Sequence, residues 1–441
     1  MRRAPAGPRG RSRCRPFPPV RPVDTFGAPG PQCRGPGFPA TTEAACPHRR
    51  HRRHRRRPHR STVTASRASP RYGRRSRRTS AHGANSAPRW RSPWPARRWW
   101  TSGAAGRTRA RTRPWQRDTL VNVWSTTKGP VALCAHILAD RGLLDLDAPV
   151  AAYWPEFAAA GKEKVLVRHL LSHRAGLSGL REPHTLEDLY DWELTTGRLA
   201  AMAPWWEPGT RSGYHPLTYG FLVGEVVRRI SGLRPGAFLE REVTGPLGID
   251  FTVGLPAREA GRAAELVPAP AAPAGEQAGS FGRLAPAAVA ALTNPAVGAA
   301  EANSPGWRAA EIPAANGHGT ARAVAALYGV FAGRGAHGGR RILSPEAAER
   351  VREGQGSCLD LVLGAGLGGE TGGRAGSVAE RAPGSYGPNP RAFGHDGFGG
   401  SCGLADPDAG VSLGYAMNRM GPHIADDPRK TALVDAVYRA L

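Results

Sequence analysis

Val123-Trp124-Ser125-Thr126-Thr127-Lys128 joins two stretches of different periodicity, and the reading of that junction decides the fold. Before it, Leu120 to Trp124 is a short, largely apolar segment. After it, Thr126 to Arg141 place Val131, Leu133, Cys134, Ile137 and Leu138 at helical spacing, and Gly142 stands where a glycine ends a helix. Ser125 therefore falls at the N-terminus of the predicted helix, and Lys128, three residues on, shares its face. The helix dipole favours negative charge on the serine oxygen, and a neutral lysine amine could accept its proton. Burial or neighbouring positive charge would be needed to keep that amine neutral. Four residues alone equally describe a capping serine followed by a solvated lysine, so the remaining chain has to decide.

Outward from this stretch, composition divides the 441 residues near residue 117. Residues 1–117 hold 31 Arg, no Lys, one Asp and one Glu, a net charge of +29; the rest carries 30 basic and 33 acidic residues and is slightly acidic. The overall +26 thus belongs to the first quarter. Residues 118–441 are long enough to bury a sizeable core and need no nucleic-acid partner. The six cysteines show no ligand-like spacing and read as free thiols. No run of about 18 apolar residues is present, and Met1-Arg2-Arg3 is not followed by the apolar region of a secretory signal. A cytoplasmic protein without a membrane span is expected.

The first quarter reads as an Arg/Pro/Gly/Ser-rich, disordered segment, because it cannot bury enough apolar surface to fold. A basic tail of this kind could grip phosphates. The patch from His48 to His59 lacks carboxylates and reads as biased composition rather than a metal site. Arginine without lysine is also what GC-rich DNA yields when translated out of frame. In the neighbouring frame Trp99-Trp100 forces Val, Trp100-Thr101 forces Asp, and the stretch to Ala105 permits Val-Val-Asp-Leu-Trp-Gly-Gly; Gly83 to Ser92 permits a second apolar run. Both are strand-like. The expectation is a frameshift between about Gly106 and Arg113, by the composition boundary, and a chain that lacks two opening strands.

Two further segments supply chemistry. Gly213-Tyr214-His215-Pro216 follows the loop Trp205 to Thr210 and precedes the apolar run Tyr219 to Ile230, so Tyr214 sits on a loop facing a helix start. A phenol near Lys128 could share its proton, acting as base toward Ser125 and acid toward a leaving group. His215 is an alternative base, although a loop histidine beside proline more often packs. Phe393-Gly394-His395-Asp396-Gly397-Phe398-Gly399-Gly400 precedes the strand-like Val411 to Met417. Its glycines allow close approach of a substrate to the backbone. A strand edge here would set the Phe398 N–H opposite the Ser125 N–H as two donors of an oxyanion hole.

In this order, Ser125-x-x-Lys128, the loop His169-Leu170-Leu171-Ser172-His173-Arg174-Ala175-Gly176-Leu177, Trp206-Glu207-Pro208-Gly209, Tyr214 and His395-Asp396-Gly397 resemble the serine β-lactamase-related family, whose fold is shared by class C β-lactamases, D-Ala-D-Ala peptidases and family VIII carboxylesterases. The resemblance covers about 118–441. It implies a mixed α/β (α+β) fold: an antiparallel sheet with helices on both faces, beside a helical region that holds the Ser125 helix and the Tyr214 loop, with the site between them. It also implies Ser125, Lys128 and Tyr214 as catalytic groups and His395, Gly397, Phe398 and His215 as substrate or oxyanion contacts, with no cofactor or metal. The shadow-frame Val-Asp-Leu-Trp-Gly-Gly looks like the family's opening hairpin.

Pro216 stands where lactamases and peptidases place Asn, and His395 where they place Lys. Both usual contacts to a β-lactam are thereby altered, so the resemblance points to the esterase branch: a serine hydrolase cleaving an ester or small amide. The alternatives are a catalytically inactive binding protein on the same scaffold and a weak β-lactamase or D-aminopeptidase. Gly364 to Gly384 lacks the apolar strand expected before His395.

Overall fold

The computed structural model describes residues 62–68, 96–101, 106, 108, 110, 112–270, 284–353, 360–363 and 385–441. The His48 to His59 patch, the shadow-frame stretch over Gly83 to Ser92 and the Gly364 to Gly384 stretch lie outside these residues. The main sheet is antiparallel, with β1 (Thr62–Ala68), β2 (Ala96–Thr101), β8 (Phe393–Asp396), β9 (Cys402–Asp406) and β10 (Val411–Ala416) in the order β2-β1-β10-β9-β8. Thr62 pairs with Ala416, Val63 with Thr101, and Asp396 with Cys402.

The expectation that two opening strands are missing is therefore corrected. Thr62-Val63-Thr64 and Trp99-Trp100-Thr101 are β-branched and aromatic, the residue types that favour strands. The arginines around them hid that signal in the composition.

Side chains alternate across a strand, so β9 and β8 each serve two layers. A Cβ on Gly403 would meet the Tyr328 ring at 2.1 Å, which places the Ala321–Ala332 helix on that face. Asp406, on the other face, accepts from Tyr438 Oη at 2.6 Å and so ties on the C-terminal helix, Pro428–Arg439. His395 pairs with Gly403 and Asp396 with Cys402, so these neighbours project to opposite faces. Asp396 forms a buried ion pair with Lys430 at 3.0 Å, while His395 is left on the opposite face, toward the helical region.

A second sheet joins β3 (Val121–Asn122), β5 (Gly317–Gly319) and β4 (Phe251–Val253) in the order β3-β5-β4. A small hairpin pairs β6 (Ala336–His337) with β7 (Arg340–Arg341). Strand β3 runs into a 3₁₀ turn, Trp124–Thr127, and then into the helix Lys128–Asp140. The predicted helix thus begins two residues later than expected, and Gly142, at φ 69°, ends it as predicted. Every residue from Lys128 to Leu138 is buried, because this helix is enclosed by the rest of the helical region, including Thr218–Ser231. Leu133 is fully buried there, and Leu133→Ala would cost about 2–5 kcal/mol. Among the described residues no helix is long and apolar enough to cross a membrane.

Candidate active site

The local chain builds the nucleophile turn first. Val123 N–H donates to Gly317 O at 2.8 Å, and Thr127 Oγ1 donates to Trp124 O at 2.5 Å while accepting from Gly317 N–H at 2.9 Å. Trp124 adopts φ 47°, a left-handed conformation that a bulky side chain holds only under tertiary restraint. Its ring is wedged between Trp307 and Phe398, each at a centroid distance of 5.5 Å. Ser125 is partly exposed although its neighbours on both sides are buried, so the turn presents this hydroxyl at a surface.

Lys128 is 2 % exposed. Its Nζ lies at hydrogen-bond distance from four oxygens, Ser125 Oγ at 3.1 Å, Tyr214 Oη at 2.9 Å, Pro216 O at 2.8 Å and Ala314 O at 3.1 Å. Tyr214 Oη in turn donates to Ser125 Oγ at 2.7 Å. In a neutral amine two N–H bonds can remain on the two carbonyls, leaving the lone pair toward the two hydroxyls. This triangle can pass a proton among its members without moving a heavy atom far.

The edge strand β8 closes the other side. Thr126 Oγ1 donates to His395 O at 3.3 Å, and Ser401 Oγ donates to Val123 O at 2.7 Å, which lashes the strand to the nucleophile turn. The N–H groups of Ser125 and Phe398 donate to no other described residue. They are available for an oxyanion. Gly397 differs from its expected role as an oxyanion contact. Its N–H is used by Ser401 O at 2.7 Å, and a Cβ there would meet Val123 O at 2.3 Å, so glycine is needed for the close approach of two backbones.

Three histidines surround the triangle. His395 is 4 % exposed, its Nδ1–H donates to Asp396 O at 2.7 Å, and its ring lies 6.1 Å from that of Tyr214. Nε2 is consequently an acceptor and has no partner among the described residues. His215, expected as a substrate contact or base, is fully buried with both ring nitrogens occupied: Nδ1–H donates to Gly213 O at 2.6 Å, and Nε2 accepts from Leu177 N–H at 3.1 Å. It is a tie between two loops, because both nitrogens are engaged by backbone groups. Burial, joined by the nearby Lys128 charge, pushes His215 and His395 down to about 3. Burial also pushes His173 well below the usual histidine range.

Two contributors escaped the sequence reading. His173, at φ 58°, stacks edge-on to Tyr214 at 5.0 Å and accepts the His215 N–H on Nδ1 at 3.2 Å. Asp360 accepts the Tyr214 N–H at 3.0 Å. The first could have been found only by asking why the quoted His169 to Leu177 loop carries a second histidine. The second had no local signal.

With this geometry in place, the comparisons with known proteins agree with one another. The Beta-lactamase family model matches residues 59–438. The esterase/beta-lactamase LipL of Mycobacterium tuberculosis is 38% identical over 315 residues, which cover 70% of this chain and 71% of that protein. Among solved structures, a family VIII carboxylesterase superimposes with a TM-score of 0.73 at 38% identity, covering 86% of this chain and 92% of the other. A penicillin-binding protein homologue from Caulobacter crescentus gives a TM-score of 0.68 at 41% identity, covering 77% and 88%. By its family match, and with the helical and sheet layers that the resemblance implied, the chain belongs to the Beta-lactamase family.

Proposed function

We propose that this serine hydrolase cleaves a small-molecule ester through an acyl-enzyme on Ser125. The observation that carries the reading is the Ser125, Lys128 and Tyr214 triangle, with all three distances between 2.7 and 3.1 Å. Ser125 Oγ attacks the ester carbonyl while its proton passes to the Lys128 and Tyr214 pair, and the carbonyl oxygen is received by the Ser125 and Phe398 N–H groups. The tetrahedral adduct collapses, the carbon–oxygen bond to the alcohol breaks, and the same proton leaves with the alcohol. Water then attacks the acyl group and gives a proton to the same pair, which passes it to Ser125 Oγ as the acyl–oxygen bond breaks, releasing the acid and free Ser125.

Preference for an ester over a β-lactam is supported by two groups. Pro216, in the place of an asparagine amide, offers only a carbonyl, and that carbonyl is taken by Lys128. His395 is an uncharged ring with an acceptor nitrogen where a lysine ammonium would meet a carboxylate. The Mycobacterium relative is an esterase/beta-lactamase by name, so weak lactam turnover is the second reading. The test is stoichiometric labelling of the full chain by a fluorophosphonate, compared with Ser125→Ala, together with rates on p-nitrophenyl butyrate and nitrocefin. Labelling confined to wild type with faster ester turnover is expected. A folded protein that takes no label is a binding protein instead, and faster nitrocefin turnover reverses the order of the two readings.

The cytoplasmic location expected from the sequence is part of this proposal and is supported by the free, buried thiols of Cys134 and Cys402. The absence of a nucleic-acid partner is proposed on the slightly acidic balance of residues 118–441. An out-of-frame origin for part of residues 1–117 is likewise proposed, on their 31 Arg without a Lys. Resequencing tests it: an intact frame relative to closely related genes discards the idea.

A further inference from the structure

Tyr214 stands on a loop, where neither a helix nor a strand sets its backbone, yet its phenol must meet two other atoms at hydrogen-bond distance. The Ser212–Tyr214 segment is held from one side by Gly213 N–H on His173 O at 3.1 Å. The other side is supplied by four residues from a part of the chain with no readable motif, Asp360–Leu363. Asp360 Oδ1 accepts three backbone N–H groups at once, from Tyr214 at 3.0 Å, Val362 at 2.8 Å and Leu363 at 2.9 Å. Next to it Leu361 N–H donates to Ser212 O at 2.9 Å, and Ser212 and Asp360 form a parallel bridge. The same turn seats Val362, 2 % exposed, in a small apolar cluster with Tyr214, Ala288 and Ala291.

We propose that Asp360 is a positioning residue for Tyr214: by holding the Tyr214 N–H and folding Val362 against the tyrosine, it sets the phenol within reach of Ser125 Oγ and Lys128 Nζ. The proposal rests on the reading of Tyr214 as a proton carrier. The physical basis is that a carboxylate binds N–H donors more strongly than a neutral acceptor does, and that Asp360 is itself 9 % exposed and so shielded from competing water. Without it, a buried tyrosine N–H loses its partner, and the loop must shift or take in water. A displacement of about 1 Å at a group that transfers protons lowers the rate by about a hundredfold.

The decisive experiment is a double-mutant cycle on the full chain, with p-nitrophenyl butyrate as substrate and thermal unfolding recorded for each variant. Asp360→Ala is expected to lower kcat about 10- to 100-fold with little change in KM. Asp360→Asn, which keeps a weaker, neutral acceptor oxygen in place, is expected to recover part of that loss. In a Tyr214→Phe background Asp360→Ala is expected to change kcat no further, because the group it positions is already gone. Multiplicative losses in the double variant overturn the proposal, as does an Asp360→Asn as slow as Asp360→Ala. If Asp360→Ala does not fold, Asp360→Ser against Asp360→Asn makes the same comparison with the same outcomes. A fully active Tyr214→Phe removes the proton-carrier reading and this proposal with it, whereas losses that multiply below an impaired Tyr214→Phe remove this proposal alone.

Discussion

The two halves of the proton-sharing triangle are built in opposite ways. Ser125 and Lys128 lie three residues apart in one continuous turn and helix start, so the backbone that places one places the other. Tyr214 is 89 residues from Ser125, and its loop is gripped by His173 and Asp360, the latter a further 146 residues along. The first half sits on one short stretch of backbone, whose turn is braced by Gly317, Trp307 and Phe398. The second depends on long-range contacts among loops, each of which can loosen without unfolding the helix. On the proposed mechanism, the difference locates robustness in the nucleophile and adjustability in the proton carrier.

Removing the local half should have the largest effect. Ser125→Ala is expected to lower kcat/KM by about 10⁴-fold or more, with an unchanged unfolding midpoint. Initial rates and label incorporation check it; activity within tenfold of wild type would mean the nucleophile lies elsewhere. Lys128→Met keeps the buried stem and removes the amine, so acylation should slow by about 10²- to 10⁴-fold, read from the pre-steady-state burst. If Lys128→Met is milder than Tyr214→Phe, the long-range half carries more of the proton transfer than the geometry implies.

The seam between the halves gives the next effect. At Gly397 an added Cβ would meet the Val123 carbonyl and the Ser401 hydroxyl, so Gly397→Ala should push β8 away from the nucleophile turn. A loss of about 1–3 kcal/mol in stability is expected, accompanied by a lower kcat. Denaturant unfolding alongside ester hydrolysis would show it, and a neutral substitution would mean that the seam is pliable.

The smallest effect is the response of the loop ties to acid. His215 is held neutral, its folded value near 3 lying below the 6.5 of the unfolded chain. The unfolded state therefore binds a proton that the folded state refuses, and stability from this group is complete above 6.5 and is lost as pH falls toward 3. His215→Asn should flatten the fall in the urea midpoint between pH 6 and 4, by at most about 1.4 kcal/mol per pH unit. An unaltered slope would show that His215 takes no part, although His318 and His395, also pushed to about 3 mainly by burial, contribute in the same direction.

What could be read in advance follows the same division. The helix after Ser125, the run Tyr219 to Ile230, observed as Thr218–Ser231, and the strand from Val411 were legible because hydrophobic spacing is a property of consecutive residues. Gly397 was singled out for its type, but its reason, a carbonyl 2.3 Å from where a Cβ would stand, belongs to a second chain segment. His215 looked chemical by type, and only the positions of Gly213 O and Leu177 N–H show both its nitrogens engaged. The strands at Thr62–Ala68 and Ala96–Thr101 were missed because arginine dominated the composition around short strand-forming runs.

By itself the sequence put Ser125 and Lys128 three positions apart at one helix start and set them, with Tyr214 and His395-Asp396-Gly397, in the motif order of the family, because spacing and motif order are properties of consecutive chain. Only the tertiary structure shows the distances at which Tyr214, already expected near Lys128, meets Ser125, that His395 faces them while Asp396 turns to Lys430, and that Asp360 grips the tyrosine loop. Those relations join segments separated by tens to hundreds of residues, and a hydrogen bond at 3 Å is set by the packing of the whole core between them rather than by spacing along the chain.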